Sequence, residues 1–159
     1  MSIPVLITGA AGRMGSTLVR MVRKADDLHL AGVVERQDMT GALGGIGCPV
    51  ENDISLLLTK VSGATIIDFT APAASIANAE AAAAKGATHV SGTTGFSAEE
   101  RGRLESRALK TPLFWSPNMS IGVNVLLKVL PELAKLLGNE YDVEMMEIHH
   151  NKKKDAPSG

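Results

Sequence analysis

The chain opens with a short apolar, β-branched run, Pro4–Thr8, that breaks directly into Gly9-Ala10-Ala11-Gly12-Arg13-Met14-Gly15. This feature limits the possible folds more than any other. A strand that stops at a glycine can turn sharply, because glycine reaches backbone conformations closed to other residues. Apolar residues then recur at helical spacing, at Met14, Leu18, Met21 and Val22, so a helix follows the turn. The rest of the chain repeats the alternation. Leu28–Val34 reads as a second strand and ends at Glu35-Arg36; residues 37–52, rich in glycine, read as a loop. Ile54–Leu58 is a short helix capped by Asp53, and Ala64–Asp68 is a third strand, apolar on both faces. Pro72–Lys85 is an alanine-rich helix with proline in its first turn and Gly86 just past its end. Thr88–Ser91 is a fourth strand, and Ser97-Ala98-Glu99-Glu100 is a capping box opening a helix to about Leu109. Leu113–Trp115 is a fifth strand. Val123–Leu137 is a long amphipathic helix in which Pro131 predicts a kink, and Asp142–His149 is a sixth strand before the polar tail Asn151–Gly159.

Strands that alternate with helices from the first residue favour a parallel sheet covered on both faces. About 120 residues suffice for five such units, and the remaining ~40 are too few for a second independent core. The expected division is therefore residues 1–120 as one domain and residues 121–159 as a helix and strand belonging to something larger. Composition narrows the function. Of 159 residues, 45% are hydrophobic and 21% charged, with 16 basic against 17 acidic side chains, which excludes a disordered chain. A net charge of -1 gives no electrostatic basis for nucleic-acid or membrane binding. One cysteine cannot close an intrachain disulfide, no apolar run approaches the ~18 residues of a membrane span, and no basic region precedes Ile3–Thr8. A cytoplasmic protein is expected. Aromatics are only 3%, so aliphatic residues must fill the core, with the seven methionines among them.

Two constellations carry chemistry. In the first, Gly9 permits the turn, Gly12 lets a phosphate approach the backbone, and Gly15 permits close packing of helix and strand. Free N–H groups and the dipole at the new helix end favour a pyrophosphate. The spacing is G-x-x-G-x-x-G, which a turn made only for packing also satisfies. Glu35, twenty residues past Gly15 at the end of a strand, sits where an acidic side chain accepts both ribose hydroxyls of an adenosine. Arg36 beside it can accept a 2′-phosphate or stack on adenine, or be a solvated surface charge. Together these predict a dinucleotide-binding, Rossmann-type sheet. Three loops follow consecutive strands on the edge where such sheets bind ligands: Phe69-Thr70, Gly92-Thr93-Thr94-Gly95 and Ser116-Pro117-Asn118-Met119. The second constellation is Glu147-Ile148-His149-His150-Asn151-Lys152-Lys153-Lys154-Asp155-Ala156-Pro157-Ser158-Gly159. A histidine here can act as an acid near neutrality, and a lysine can bind a carboxylate. A solvated basic loop has the same composition. No third ligand is spaced to make a zinc site with the two histidines, so no metal is expected.

These residues resemble the dihydrodipicolinate reductase family, NAD(P)H-dependent enzymes of bacterial and plant lysine and diaminopimelate synthesis. The resemblance rests on Gly9–Gly15 with Arg13-Met14, Asp68-Phe69-Thr70 with Pro72, and Gly92-Thr93-Thr94-Gly95-Phe96. It rests also on Asn118, Ser120, Gly122, Val123 and Asn124, and on Glu147-Ile148-His149-His150 with Lys153 and Asp155–Gly159. Ala71 stands where some members carry arginine, and Met119 where some carry an aromatic residue. The resemblance implies His149 as catalytic acid and Lys153 as second catalytic residue, with His150, Ser158 and Gly159 on the substrate. It implies NADH or NADPH held by Gly9, Ala10, Ala11, Gly12, Arg13, Met14, Glu35, Arg36, Gly92, Thr93, Thr94, Ser116, Pro117, Asn118 and Met119. The implied reaction reduces a small cyclic dicarboxylate, dihydrodipicolinate, to tetrahydrodipicolinate, in a protein that is a homotetramer at full length. The family's signature continues into an α+β substrate domain, whereas this sequence stops at Gly159. The expectation is a truncated chain, with the cofactor domain, the hinge helix and the start of the substrate domain, inactive alone. Another dehydrogenase of the same fold, or a non-catalytic nucleotide-binding module, is the alternative.

Overall fold

The computed structural model describes residues 2–148, and the chain divides into two compact units, Met1–Ser116 and Pro117–Gly159. The first unit is a six-stranded parallel sheet in the order β3-β2-β1-β4-β5-β6. Its strands are β1 (Ile3–Thr8), β2 (Leu28–Val34), β3 (Val50–Glu51), β4 (Thr65–Asp68), β5 (Thr88–Ser91) and β6 (Leu113–Trp115). They are joined by α1 (Arg13–Val22), α2 (Ile54–Leu58), α3 (Pro72–Lys85) and α4 (Ala98–Ala108). The strand order reverses between β1 and β4, so their carboxyl ends diverge into a crevice there, the place where doubly wound sheets bind ligands.

β1 is apolar on both faces because both are covered. Val5 and Ile7, with Val33 from β2, pack against Val19 and Val22 of α1. Leu6, with Ile66 from β4, packs against Leu57 of α2 and Ala82 of α3. A third cluster joins Ile76 and Ala79 of α3 to Phe96 and Leu104 of α4. α3 can come close to the sheet because its inner face is small. Ala79 and Ala82 are completely buried, and Gly86 ends the helix at a φ of 65°, the left-handed conformation expected of a glycine cap. Asp53 caps α2 through the Ser55 N–H, and Ser97 with Glu100 forms the expected capping box of α4.

Three expectations need correction. α1 buries Gly15, Val19 and Val22, while Met14 and Met21 are exposed. Gly15 must face the glycine turn, and that contact rotates the helix away from the stripe read through the methionines. Met39, Met119, Met145 and Met146 are exposed too, so methionine is not the core filler of this chain. Residues 37–52 are not all loop: Thr40–Leu43 is a 3-10 turn, and β3 adds a short edge strand paired with Val33 and Val34. The predicted strand Asp142–His149 is not one over its described part, since residues 142–148 pair with nothing in a ladder. The described residues of the second unit contain no strand, and His149 itself lies outside the described residues. The described elements of that unit are α5 (Ile121–Leu137) and a short 3-10 turn, Gly138–Glu140. α5 runs through Pro131, whose ring removes the N–H that the Leu127 carbonyl would otherwise accept.

Candidate functional site

The glycine turn sits where β1 runs into α1. Gly9 has a φ of 65°, and its carbonyl accepts the Gly12 N–H at 3.0 Å, closing the loop on itself. A Cβ on Gly12 would lie 3.1 Å from that carbonyl, and one on Gly15 only 2.1 Å from it and 2.7 Å from Ala10 Cα. Gly15 is thus a glycine because the turn itself lies against it, more than because a strand does. The opening of α1 has the other property an anion site needs. Its cap, Gly12, offers no side chain, and no acidic residue occupies the first turn. The end N–H groups therefore keep their partial positive charge for a ligand.

Glu35, at the end of β2, is clamped to this turn. Its Oε2 accepts the Ala11 N–H at 2.8 Å and its Oε1 accepts the Arg36 N–H at 2.9 Å. Each carboxylate oxygen has a second lone pair left for a hydroxyl donor. Arg36 points outward and lies 3.5 Å from Asp38, both well exposed, which is a weak pairing that a ligand anion could displace. Gly9, Glu35 and Arg36 line one cleft of about 710 Å³ at the crevice between β1 and β4.

The cleft brings in residues that the sequence reading did not assign to the cofactor, although it named Asp53 as a helix cap and Ala71 as a departure from the family pattern. Asn52 and Asp53 come from the turn between β3 and α2, and Ser55 from the first turn of α2. Ala71, Ala74, Ala77 and Asn78 come from the start of α3 and make a largely apolar wall. Their one available signal was position after a strand end, and β3 is too short to be read as a strand. Thr70 completes the cleft. Its methyl lies 3.1 Å from where a Gly9 Cβ would be, so it is seated on the glycine turn.

Thr70 is held by a buried network. Asp68 Oδ1 accepts both the Thr70 N–H at 2.9 Å and the Thr70 hydroxyl at 2.6 Å. Asp68 Oδ2 accepts from Asn78 Nδ2 and from His89 Nε2, each at 3.2 Å. Asp68 and His89 are fully buried. Burial alone raises the Asp68 carboxyl, but the bonds from His89, Thr70 and Asn78 together hold it well below the usual carboxylate range. An ionised carboxylate only accepts, so the shared proton belongs to His89 Nε2. Ser75 on α3 and Ser91 on β5 are bonded at 3.0 Å, and Ser91 Oγ accepts the Thr93 N–H at 3.3 Å.

The second predicted loop, Gly92-Thr93-Thr94, follows β5. Gly92 is required by Phe69, since a Cβ there would lie 2.0 Å from its ring. Thr93 is buried with its hydroxyl unpartnered, and its carbonyl accepts from Trp115 Nε1 at 2.9 Å. Trp115 packs edge-on against Phe96, ring centroids 5.6 Å apart. Ser116 continues β6, its N–H donating to Ser91 at 3.1 Å. The structure thus sets Gly9–Met14, Glu35, Arg36, Gly92–Thr94 and Ser116 along one edge of one sheet.

Pro117, Asn118 and Met119 belong to the second unit. There Asn118 Oδ1 accepts the Ser120 N–H at 2.9 Å, and Asn124 Nδ2 donates to the carbonyls of Asn118 and Ser120, each at 2.9 Å. Ser120 caps α5. The motif Asn118, Ser120, Asn124 therefore builds the first turn of that helix. His149, His150, Lys153, Ser158 and Gly159 lie outside the described residues. Among the described residues, no three His, Cys, Asp or Glu side chains gather to hold a metal, and no helix is long and apolar enough to cross a membrane.

Comparison with known proteins places this geometry. Residues 3–119 match the family model for dihydrodipicolinate reductase, N-terminus, and residues 122–159 match its C-terminus model. A 4-hydroxy-tetrahydrodipicolinate reductase of Oleidesulfovibrio alaskensis is 54% identical over the whole chain, and one of Lawsonia intracellularis is 42% identical. The chain spans 61% of the length of each of these relatives. Among solved structures, a dipicolinate-bound dihydrodipicolinate reductase from Paenisporosarcina sp. TG-14 is similar with a TM-score of 0.78 and 28% identity, over 100% of this chain and 62% of that one. A scyllo-inositol dehydrogenase from Lactobacillus casei shares the fold at a TM-score of 0.62 and 13% identity, over 83% of this chain and 42% of that one.

Proposed function

The chain belongs to the dihydrodipicolinate reductase family, and from that premise we propose that the complete protein reduces dihydrodipicolinate, which forms from its hydroxy-tetrahydro precursor by loss of water, to tetrahydrodipicolinate by adding a hydride from NADH or NADPH and a proton. The observation that carries this reading is the glycine cradle beside Glu35. A Cβ at Gly12 or Gly15 would crowd the turn, and α1 has no side-chain cap and no acid within its own first turn to compete with a pyrophosphate. A dinucleotide fits such a site. The residues proposed to hold it are Gly9 to Met14 at the pyrophosphate, Glu35 and Arg36 at the adenosine ribose, and Gly92–Thr94 with Ser116–Met119 toward the nicotinamide. The bound nicotinamide supplies the hydride.

The chain's own residues then have three tasks. The backbone N–H groups at the start of α1 neutralise phosphate charge. His149 gives a proton to the intermediate left by hydride addition, a task suited to a side chain that titrates near neutrality. Lys153 balances carboxylate charge on the substrate, while His150, Ser158 and Gly159 orient it. The proposed division is a cofactor domain to about residue 120, followed by a hinge helix and the start of a substrate domain. The complete protein is proposed to be a cytoplasmic homotetramer, which light scattering of the purified protein tests. The function is tested by steady-state oxidation of NADH and NADPH in the presence of the enzymatically generated cyclic dicarboxylate. Cofactor oxidation that depends on that substrate supports the reading. None with either cofactor overturns it.

A further inference from the structure

We infer that His89 is a positioning residue for the cofactor cleft, acting through Asp68 on Thr70; this rests on the cofactor reading above. The two oxygens of Asp68 divide their work. Oδ1 holds only Thr70, through its N–H and its hydroxyl, and Oδ2 holds Asn78 and His89. Thr70 and Asn78 both line the cleft, and the Thr70 methyl rests on Gly9 of the pyrophosphate turn. Two walls of the cleft therefore hang on one buried carboxylate. His89 is the remaining donor to it and comes from the neighbouring strand, where it lies opposite Ile66. Three residues further along, that strand's chain enters Gly92-Thr93, on the proposed nicotinamide side.

A buried carboxylate held by an imidazole is a poor way to join a sheet to a helix, since the carboxylate must lose its water, whereas apolar side chains of similar volume carry no such cost. What a buried hydrogen-bonded network does provide is a fixed geometry: both Asp68 oxygens are bonded, and of its partners only His89 keeps a buried atom, Nδ1, without one. Here the geometry it fixes is the Thr70 seat. Remove the His89 donor, and the carboxylate has one bond fewer holding Oδ2. It can then rotate, carrying the Thr70 N–H and hydroxyl with it.

The test uses the 159-residue chain, with NADH titrated by fluorescence and ADP-ribose by calorimetry, and with amide exchange read by NMR. His89→Leu should weaken both ligands about tenfold, equivalent to ~1.4 kcal/mol. It should also speed exchange at the Thr70 amide relative to the core strand amides of Leu6 and Ile66. His89→Gln keeps an N–H donor and should restore both readouts to within about threefold of the wild type. Thr70→Val leaves the buried pair intact, and should by itself weaken NADH about tenfold. The inference is overturned if His89→Leu lowers thermal stability while ligand affinity and relative Thr70 exchange stay put, the behaviour of a purely structural pair. If His89→Leu does not fold, an unchanged NADH affinity in Thr70→Val overturns it instead. Failure of the cofactor reading shows separately, on the wild type alone, as binding of neither NADH nor ADP-ribose.

Discussion

Glu35 and Arg36 are adjacent in sequence but differ in how firmly they are held. Glu35 is tied to the Ala11 and Arg36 N–H groups, so its carboxylate is fixed beside the glycine turn. Arg36 is free to swing, because its partner Asp38 is exposed and 3.5 Å away. A fixed acid favours free ribose hydroxyls, and a mobile guanidinium tolerates a 2′-phosphate. NADH and NADPH should therefore bind with affinities within about tenfold, ~1.4 kcal/mol. Arg36→Ala should weaken NADPH selectively, and a wild-type gap of ~100-fold, by fluorescence titration, would place one side chain outside the site. Lys153 is the residue to test for chemistry. In the complete enzyme Lys153→Ala should lower kcat ~30- to 1,000-fold, the equivalent of losing ~2–4 kcal/mol of charge stabilisation, with cofactor affinity unchanged. Lys152→Ala and Lys154→Ala should do far less, and equal losses for all three would reduce the run to a basic patch. Asp68 gives a pH prediction. Its carboxyl is held below its ordinary value in the fold, so the unfolded chain takes up the proton first. Its contribution is fully present above about pH 4–5 and is lost as pH falls below the unfolded value of about 3.9. Urea unfolding from pH 6 to 3 should show this loss in the wild type and a flatter profile in Asp68→Asn.

The elements differ in which glycines they can spare. A Cβ at Gly15 would meet the backbone of Gly9 and Ala10, which cannot move without unmaking the turn. Gly15→Ala should cost roughly 1–3 kcal/mol of stability or more, and abolish NADH binding because the cradle is displaced. Gly86 provides the contrast. It ends α3 in the left-handed region with open space around it, so Gly86→Ala should cost only ~1 kcal/mol and leave NADH affinity unchanged. Denaturation midpoints with NADH titrations separate the two. If both variants lose stability and affinity alike, the cradle has no special link to the cofactor. α5 differs from the other helices. None of the residues of α5 is buried, although Ile121, Val125, Leu126, Leu127 and Val129 are all apolar. A helix with that much apolar surface is stabilised by packing rather than by propensity.

The scale of the whole molecule explains why the two units should behave differently. The first unit has a sheet closed on both faces by core, whereas the described residues of the second hold one α-helix, one short 3-10 turn and no strand. The relatives are longer, since the chain spans 61% of their length. A polypeptide of just these 159 residues should bind NAD(P)H with the first unit, while reductase turnover stays at or below detection. Hydrogen exchange should show protected amides in β1, β2, β4 and β5 and little protection at Val143–Ile148, whose backbone has no strand partner among the described residues. Strong protection at Val143–Ile148 in a monomer, together with substantial turnover, would sink this expectation.

Local signals sufficed wherever one short stretch of chain decides the outcome. The glycine turn, the Asp53 cap, the Ser97–Glu100 box and the Gly86 stop each act within a few residues, and each stands where the sequence put it. Glu35 was legible for the same reason, as an acid at a strand end. What depends on distant partners was not legible. The rotation of α1 follows from Gly15 meeting the turn, so the exposed methionines looked like core. β3 is a strand only because β2 lies beside it, and residues 142–148 are not one because no described strand does. The cleft's far wall, from Asn52 to Asn78, and the buried Asp68–His89 pair join residues from separate strands and helices. Periodicity and capping report on a residue's neighbours along the chain. A cavity, a ladder and a buried hydrogen-bonded pair are made by neighbours across it, and only packing of the sheet brings those together.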